Sequence, residues 1–360
     1  MTEYIHNLDP FAIQFSESFG IRWYGLAYIF GFFICYYLTF RLTQKNKTLL
    51  RPEQVSDFIA FLAFGTMIGG RLGYCLFYDP KLLVSFSPVY LFGISFPMWD
   101  ALAIWHGGMA SHGGIIGIIF ACVLYGRLYK LPIFHLLDLT TFAGALAIGF
   151  GRIANFINGE LYGRACEGKC VWPVKFPDEL HRWLANWEKY KVQLKSLYPV
   201  VKQLGGIAGP EGQLLLPTAT KWQQWVESGS KYYVESYVKR IFNAIAQNQQ
   251  QILKDLGEIL TARHPSQLYQ SVMEGFLVFI VMVIVWRKPQ KPGVLAASWG
   301  VTYALMRILG EQFRMPDAHI GYQLWGLTRG QWLSMAMLIG SVVLLFFVLN
   351  RNQQKMGGWR

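Results

Sequence analysis

Charged residues are scarce in this sequence. Only 15% of its 360 residues are Asp, Glu, Lys or Arg, against 53% hydrophobic. A soluble domain usually carries about 25% charged residues, so a string of soluble domains is excluded. Acidic residues are fewer still, 21 against 33 Lys and Arg, leaving a formal charge of +12. Such an excess can mark nucleic-acid binding. Here the basic residues of the short loops fall on one side of the apolar runs, which points instead to the positive-inside bias and contact with anionic lipid. No nucleic-acid partner is expected. Cysteines are few: Cys35, Cys75 and Cys122 lie in apolar segments and read as packing residues. Cys166 and Cys170 flank a polar turn, where a disulfide is possible if the segment is extracytoplasmic. A zinc site is disfavoured because a single C-x3-C pair supplies only two ligands. Residues 1–18 contain Glu3, Asp9 and Glu17 and lack a basic stretch, so no cleavable signal peptide is expected.

What the chain does have is long apolar runs. Spans are expected near 19–40, 56–78, 101–126, 133–157, 266–286, 293–313 and 331–350, each about 18–26 residues, enough to cross a ~30 Å hydrocarbon core. The expected fold is therefore an all-α polytopic membrane protein with about seven transmembrane helices. Arg41, Lys45, Lys47, Arg51, Arg127, Lys130, Arg287, Lys288, Lys291, Arg351, Lys355 and Arg360 occupy alternate connections and the tail. That places the amino terminus outside and the carboxyl terminus in the cytoplasm. Residues 164–263 are polar and fall on the outer side between spans four and five. Their tryptophans (Trp172, Trp183, Trp187, Trp222, Trp225) suggest a folded cap or a docking surface. Residues 232–260 read as helical from Val234, Val238, Ile241, Ile245, Ile252 and Leu256. The expected organisation is a bundle over 1–163, an extracytoplasmic insert over 164–263, and a bundle with a cytoplasmic tail over 264–360.

Polar groups inside apolar segments are costly, and by default mark function. The densest group is Gly151-Arg152-Ile153-Ala154-Asn155-Phe156-Ile157-Asn158-Gly159-Glu160-Leu161-Tyr162-Gly163. Arg152 and Glu160 either neutralise each other within a buried network or face a charged ligand. Arginine suits phosphate, which favours the second reading. Tyr303, Arg307 and Glu311 are spaced i, i+4, i+8 along one helix face, as a structural salt bridge or as a second cationic contact. Arg71, in Gly69-Gly70-Arg71-Leu72-Gly73, is a third basic contact or a snorkelling side chain. Two His-Gly-Gly units, at His106 and His112, imply a broken or closely packed element; His112 either handles a proton or points to the interface. Arg263-His264-Pro265-Ser266-Gln267-Leu268-Tyr269 opens the fifth span. Tyr24, in Arg22-Trp23-Tyr24-Gly25, sits where interfacial aromatics commonly do.

These residues together resemble the prolipoprotein diacylglyceryl transferase family. Residues 151–163 fit its signature Gly-Arg-x-(Gly/Ala)-Asn-Phe-apolar-Asn-x-Glu-x-x-Gly at every fixed position. The resemblance extends to Arg22–Gly25, Gly69–Gly73, the His-Gly-Gly region, His264–Tyr269, and Tyr303 through Asp317. It implies a bacterial inner-membrane enzyme of lipoprotein maturation. Its substrates would be phosphatidylglycerol and a prolipoprotein signal peptide with a lipobox cysteine. It implies no metal and no cofactor. Arg152 and Arg307 are expected at the phosphate, His112 as a candidate base, and Glu160 and Glu311 as groups that orient the arginines or bind glycerol hydroxyls. Tyr24, Asn155, Gly163, His264 and Tyr303 are carried over as site residues, with Gly113 and Arg71 as further substrate contacts. Besides the substrates, only membrane lipids are expected as partners.

The chain departs from the family in two ways. Gln270 stands where the family often has Glu, and residues 164–263 look longer than in familiar members. A transporter would also use intramembrane Arg, Glu and His, but the two halves show no convincing repeat and the charges gather at the outer ends of spans four and six. A non-catalytic lipid-binding protein is the other alternative, and the retained signature argues against it.

Overall fold

The computed structural model describes residues 4–15, 20–91, 94–103, 108–168, 170–209, 213–316 and 321–358. The chain is mostly helical. Among the described residues, five helices are long and apolar enough to cross a membrane: α1 (Trp23–Gln44), α2 (Pro52–Phe77), α4 (Ile133–Ile157), the run Ser266–Val285, and α14 (Arg329–Asn350). The fourth run comprises α11 (Ser266–Gln270), a π-helical stretch (Ser271–Leu277) and α12 (Val278–Val285). Shorter apolar helices are α3 (Ser111–Leu128) and α13 (Val294–Gly310). The third expected span, 101–126, thus begins ten residues late. Asp100–Leu102 forms a 3-10 turn, Gly108 takes φ 79° and Ala110 is extended, so the helix starts only at Ser111. His106 and Gly107 lie outside the described residues. The chain is not all-α either: short strands pair in the connections, where two-residue ladders leave no periodicity to read.

The chain divides into two compact units. The first contains residues 1–27, 149–273 and 306–332. Its sheet has the order β1 (Tyr4–Ile5), β6 (Val174–Lys175), β9 (Ala262–Arg263), parallel then antiparallel. Two further antiparallel pairs are β2 (Phe11–Gln14) with β3 (Gly20–Arg22) and β7 (Ile207–Ala208) with β8 (Leu214–Leu215). Helices α5 (Glu179–Ala185), α6 (Trp187–Ser196), α7 (Tyr198–Gln203), α8 (Ala219–Glu227), α9 (Lys231–Ala246) and α10 (Gln250–Ile259) enclose a core of Trp183, Leu194, Trp222, Val234, Tyr237, Ile241 and Leu256. Each such side chain contributes roughly 1.5–3 kcal/mol by leaving water. The stretch 232–260, expected to be helical, forms two helices, with Asn248 at φ 56° between them. The six apolar positions expected to line it are all buried. Trp172, by contrast, is 65% exposed.

The second unit contains residues 28–148, 274–305 and 333–360. It includes the hairpin β4 (Phe86–Leu91) and β5 (Ile94–Trp99). Pro52 at the first position and the bond from Arg51 N to Gln54 Oε1 (2.9 Å) begin α2. Helices α2 and α3 then meet through glycines. A Cβ on Gly69 would stand 2.7 Å from Gly117 Cα, and one on Gly73 2.7 Å from Gly113 Cα. Small residues four apart permit this backbone approach in an apolar solvent, where packing replaces the hydrophobic effect. Cys35, Cys75 and Cys122 are buried, as expected of packing thiols. Asp138 of α4 is also buried, yet its oxygens accept from Gly293 N (2.7 Å) and Ala296 N (2.8 Å). It therefore caps α13, whose first amides have no partner within the helix.

Candidate functional site

The signature segment begins as helix and ends in an isolated bridge between Gly163 and Arg314. Helix α4 stops at Ile157, and the backbone turns left-handed at Gly159 (φ 69°) and again at Leu161 (φ 54°). A non-glycine residue in that region costs of order 1–3 kcal/mol unless its surroundings hold it. Two side chains do so: Gln267 Nε2 donates to Glu160 O (2.6 Å) and Ser266 Oγ to Leu161 O (3.2 Å). The turn leaves the Glu160 carboxylate just past the end of α4, where the helix dipole disfavours negative charge. Three donors converge on its Oε1: Tyr24 OH at 2.5 Å, Asn155 Nδ2 at 3.2 Å and Asn158 Nδ2 at 3.4 Å. Asn155, in the last turn of α4, and Asn158, just beyond it, thus meet at this carboxylate. Arg152 lies on α4 one turn before Asn155 and is half-buried.

Beyond the turn, Gly163 N donates to His264 O (3.0 Å), His264 N to Arg164 O (3.0 Å) and Cys166 N to Ala262 O (2.8 Å). Gly163 has no room for a side chain: an added Cβ would meet Phe313 O at 2.7 Å and His264 Cβ at 2.8 Å. Arg263 pairs with the fully buried Glu179 and donates to Gly163 O (3.3 Å). The His264 ring lies against Phe313 and Tyr269, with centroids 5.6 and 6.0 Å away. Burial holds this imidazole below the usual histidine range, and its Nδ1 is buried without a hydrogen-bond partner. Cys166 and Cys170 are joined by a disulfide.

Glu311 is the second anchoring carboxylate and is 3% exposed. Its Oε1 pairs with Arg307 Nη2 (2.6 Å) and Arg314 Nη1 (3.5 Å), and its Oε2 accepts from Thr328 Oγ1 (3.0 Å). Thr328 is itself fixed at the start of α14 by a reciprocal pair: Thr328 N to Gln331 Oε1 (2.9 Å) and Gln331 N to Thr328 Oγ1 (3.2 Å). This is a capping box. Gly330 lets the helix start pass the ion pair, since a Cβ there would lie 2.8 Å from Glu311 Oε1.

Tyr24, Arg152, Asn155, Glu160, Gly163, His264, Arg307 and Glu311 thus all belong to the first unit, although three separate chain segments supply them. Arg71, His112, Gly113 and Tyr303 belong to the second. Arg71 is 5% exposed and donates to Ala101 O (2.8 Å), Gly108 O (3.1 Å) and Asp100 O (2.7 Å). It clasps the loop before α3 and does not snorkel. A cleft of about 300 Å³ beside it is lined by Tyr74, Asp79, Ser87 and Asp100. Gly113 lies in the α2–α3 contact. Tyr303 stacks on Trp299, with centroids 5.0 Å apart. His112 occupies the second position of α3, and its side chain lies outside the described residues.

The motif Arg263–Tyr269 was noted from sequence without a role for Arg263 or Gln267, and Thr328, Gln331, Arg314 and Glu179 were given no role at all. The Thr-x-x-Gln before an apolar run was legible as a capping box. The pairings of Arg314 and Glu179 carry no local signal.

A family model described as prolipoprotein diacylglyceryl transferase matches residues 10–347. The phosphatidylglycerol–prolipoprotein diacylglyceryl transferase of Bdellovibrio bacteriovorus is 42% identical over 99% of this chain and 97% of its own length. Those of Rhodospirillum centenum (32%; 94% of this chain, 91% of the relative) and Neisseria gonorrhoeae (30%; 94% and 95%) are also similar. Coverage this full on both sides leaves no place for a hundred-residue addition peculiar to this chain. The expectation that 164–263 is unusually long does not hold against these relatives.

Proposed function

The chain belongs to the prolipoprotein diacylglyceryl transferase family, and on that premise we propose how its residues carry the transfer from phosphatidylglycerol to the lipobox cysteine of a prolipoprotein signal peptide. The thiol loses its proton and the thiolate attacks the glyceryl carbon bearing the phosphate. The S–C bond forms, the C–O bond breaks, and glycerol phosphate leaves with the electron pair. The product is a thioether. A thiolate is a far better nucleophile than a thiol, and positioned cations stabilise the departing phosphate.

Arg152 and Arg307 are the proposed phosphate ligands. The observation that carries this is the clasp on Arg307: a nearly buried carboxylate, itself tied to Thr328, holds the guanidinium at 2.6 Å. A guanidinium held in place before substrate arrives loses little freedom on binding. Glu160, Tyr24, Asn155 and Gly163 are proposed to shape the glycerol side of the site, His264 and Tyr303 to contact substrate, and Gly113 and Arg71 to support it. His112 is the proposed base, since imidazole titrates in the range where proton transfer is efficient. Seven helices would cross the bacterial inner membrane, with the amino terminus outside, the carboxyl terminus in the cytoplasm, and residues 164–263 outside. The basic short connections support that orientation.

The test supplies purified protein with phosphatidylglycerol and a lipobox peptide. The peptide should gain the diacylglyceryl mass, and a Cys→Ser peptide should not. An unchanged peptide mass under conditions where a relative works, or an equal gain in the serine peptide, refutes the assignment.

A further inference from the structure

The sequence disfavoured a metal at Cys166 and Cys170 because the pair offered only two ligands. The fold adds a third. An isolated antiparallel bridge pairs Ala165 with Arg263, which brings the next residues, Cys166 and His264, to adjoining stretches of backbone. A ring nitrogen of His264 and the two sulfurs lie within 4.8 Å of one another. The buried, unpartnered His264 Nδ1 is a second sign of a group made to receive something. Both cysteines are half-buried, within reach of a reductant.

We propose that Cys166, Cys170 and His264 form a redox-gated site for a thiophilic divalent cation of the zinc class. In the oxidised chain the sulfurs are bonded to each other and cannot ligate. A dithiol reductant supplies two electrons and two protons; the S–S bond breaks, two thiols form, and the reductant leaves as its own disulfide. Zinc then displaces both thiol protons to solvent and takes two thiolates at about 2.3 Å and one imidazole at about 2.0–2.1 Å, with water in the fourth position. The Cα separation of 5.4 Å leaves side-chain rotation to bring the sulfurs into place. The C-x3-C spacing falls within the range zinc sites use. Occupancy would withdraw His264 from substrate, a consequence that rests on the function proposed above.

The experiment uses the full chain in detergent micelles, with Zn2+ alone as the probe in equilibrium dialysis. Reduced wild type should bind one equivalent, and the oxidised chain and Cys166→Ser/Cys170→Ser none above background. His264→Gln should weaken binding by roughly tenfold or more, since losing even a group behind a ligand costs ~10–100-fold. Absence of binding by the reduced chain, equal binding by the oxidised chain or the serine variant, or unchanged affinity in His264→Gln overturns the site. X-ray absorption on zinc-loaded wild type decides the ligands without a variant: two sulfurs with nitrogen are expected, and a shell without sulfur or without nitrogen refutes it. Transfer activity is read separately. Zinc should slow the reduced enzyme only; an unchanged rate with zinc bound counts against His264 in substrate binding, and the cation site stands.

Discussion

Glu311→Gln tests the clasp on Arg307 most directly. The substitution keeps the volume and one carbonyl acceptor, so Thr328 retains a partner, but it removes the charge facing Arg307 at 2.6 Å and Arg314 at 3.5 Å. Breaking a buried pair by deleting one partner typically costs about 3–5 kcal/mol. Arg307 keeps 9% exposure and glutamine still accepts a hydrogen bond, so the expected loss is nearer ~2–3 kcal/mol. If that orienting energy is felt in the transition state, the rate falls by roughly 30–150-fold at 1.36 kcal/mol per tenfold. The assay is the initial rate of peptide lipidation at saturating and limiting phosphatidylglycerol, alongside thermal unfolding in detergent. The paired variant is Arg307→Lys, which keeps the charge and loses the planar fork. Residues acting through one another are non-additive, so Glu311→Gln should cost little more once Arg307 is lysine. A folded Glu311→Gln enzyme within threefold of wild type, or full additivity in the double variant, refutes the reasoning.

Four further outcomes follow from the geometry. Tyr24→Phe removes a hydrogen bond to a carboxylate, worth about 1.5–3 kcal/mol, and should lower kcat/KM by about tenfold or more; an unchanged value removes Tyr24 from the Glu160 network. Gly163→Ala places a methyl against Phe313 O and His264 Cβ and should lower the melting temperature; a value equal to wild type would show that the backbone there yields. Gly69→Ala, which drives a Cβ toward the Gly117 backbone, should separate α2 from α3 and lower stability without touching the carboxylate networks, as read by thermal unfolding. Stability should also fall with pH. Burial lowers the values of both His6 and His264, so the unfolded chain takes up protons first. Their contribution is whole above the unfolded value near 6.5 and is lost as pH falls from there toward the lower folded values. His6→Phe should flatten part of that slope between about pH 7 and 5, and an unchanged slope excludes His6 as a contributor.

The apolar helices were legible because the information is local. Apolar run length sets whether a segment can cross a bilayer, and each expected run coincides with a helix, five of them long enough to cross and the third and sixth shorter, the third starting only at Ser111 after the left-handed Gly108 and the extended Ala110. The signature from Gly151 to Gly163 was legible as a family motif for the same reason. The short strands among the described residues were not, since ladders of two to six residues carry too few alternations to register. The stretch 232–260 is helical as expected, and what its spacing did not tell is the break at Asn248, a residue tolerant of the left-handed region.

By itself, then, the sequence determined a polytopic, mostly helical chain, its family, and the residue types its chemistry needs. Those follow from composition, run length and contiguous motif, which neighbouring residues settle among themselves. Tertiary structure alone decided which groups answer one another. Tyr24 reaches Glu160 across 136 positions, Thr328 fixes the carboxylate that holds Arg307, and Asp138 caps a helix that begins 156 residues later. Arg71, which read as a ligand contact or a snorkel, holds three loop carbonyls. His264 arrives beside a disulfide nearly a hundred residues earlier in the chain. A buried charge is stable only with partners at hydrogen-bond distance, and the partners are chosen by where the backbone places them.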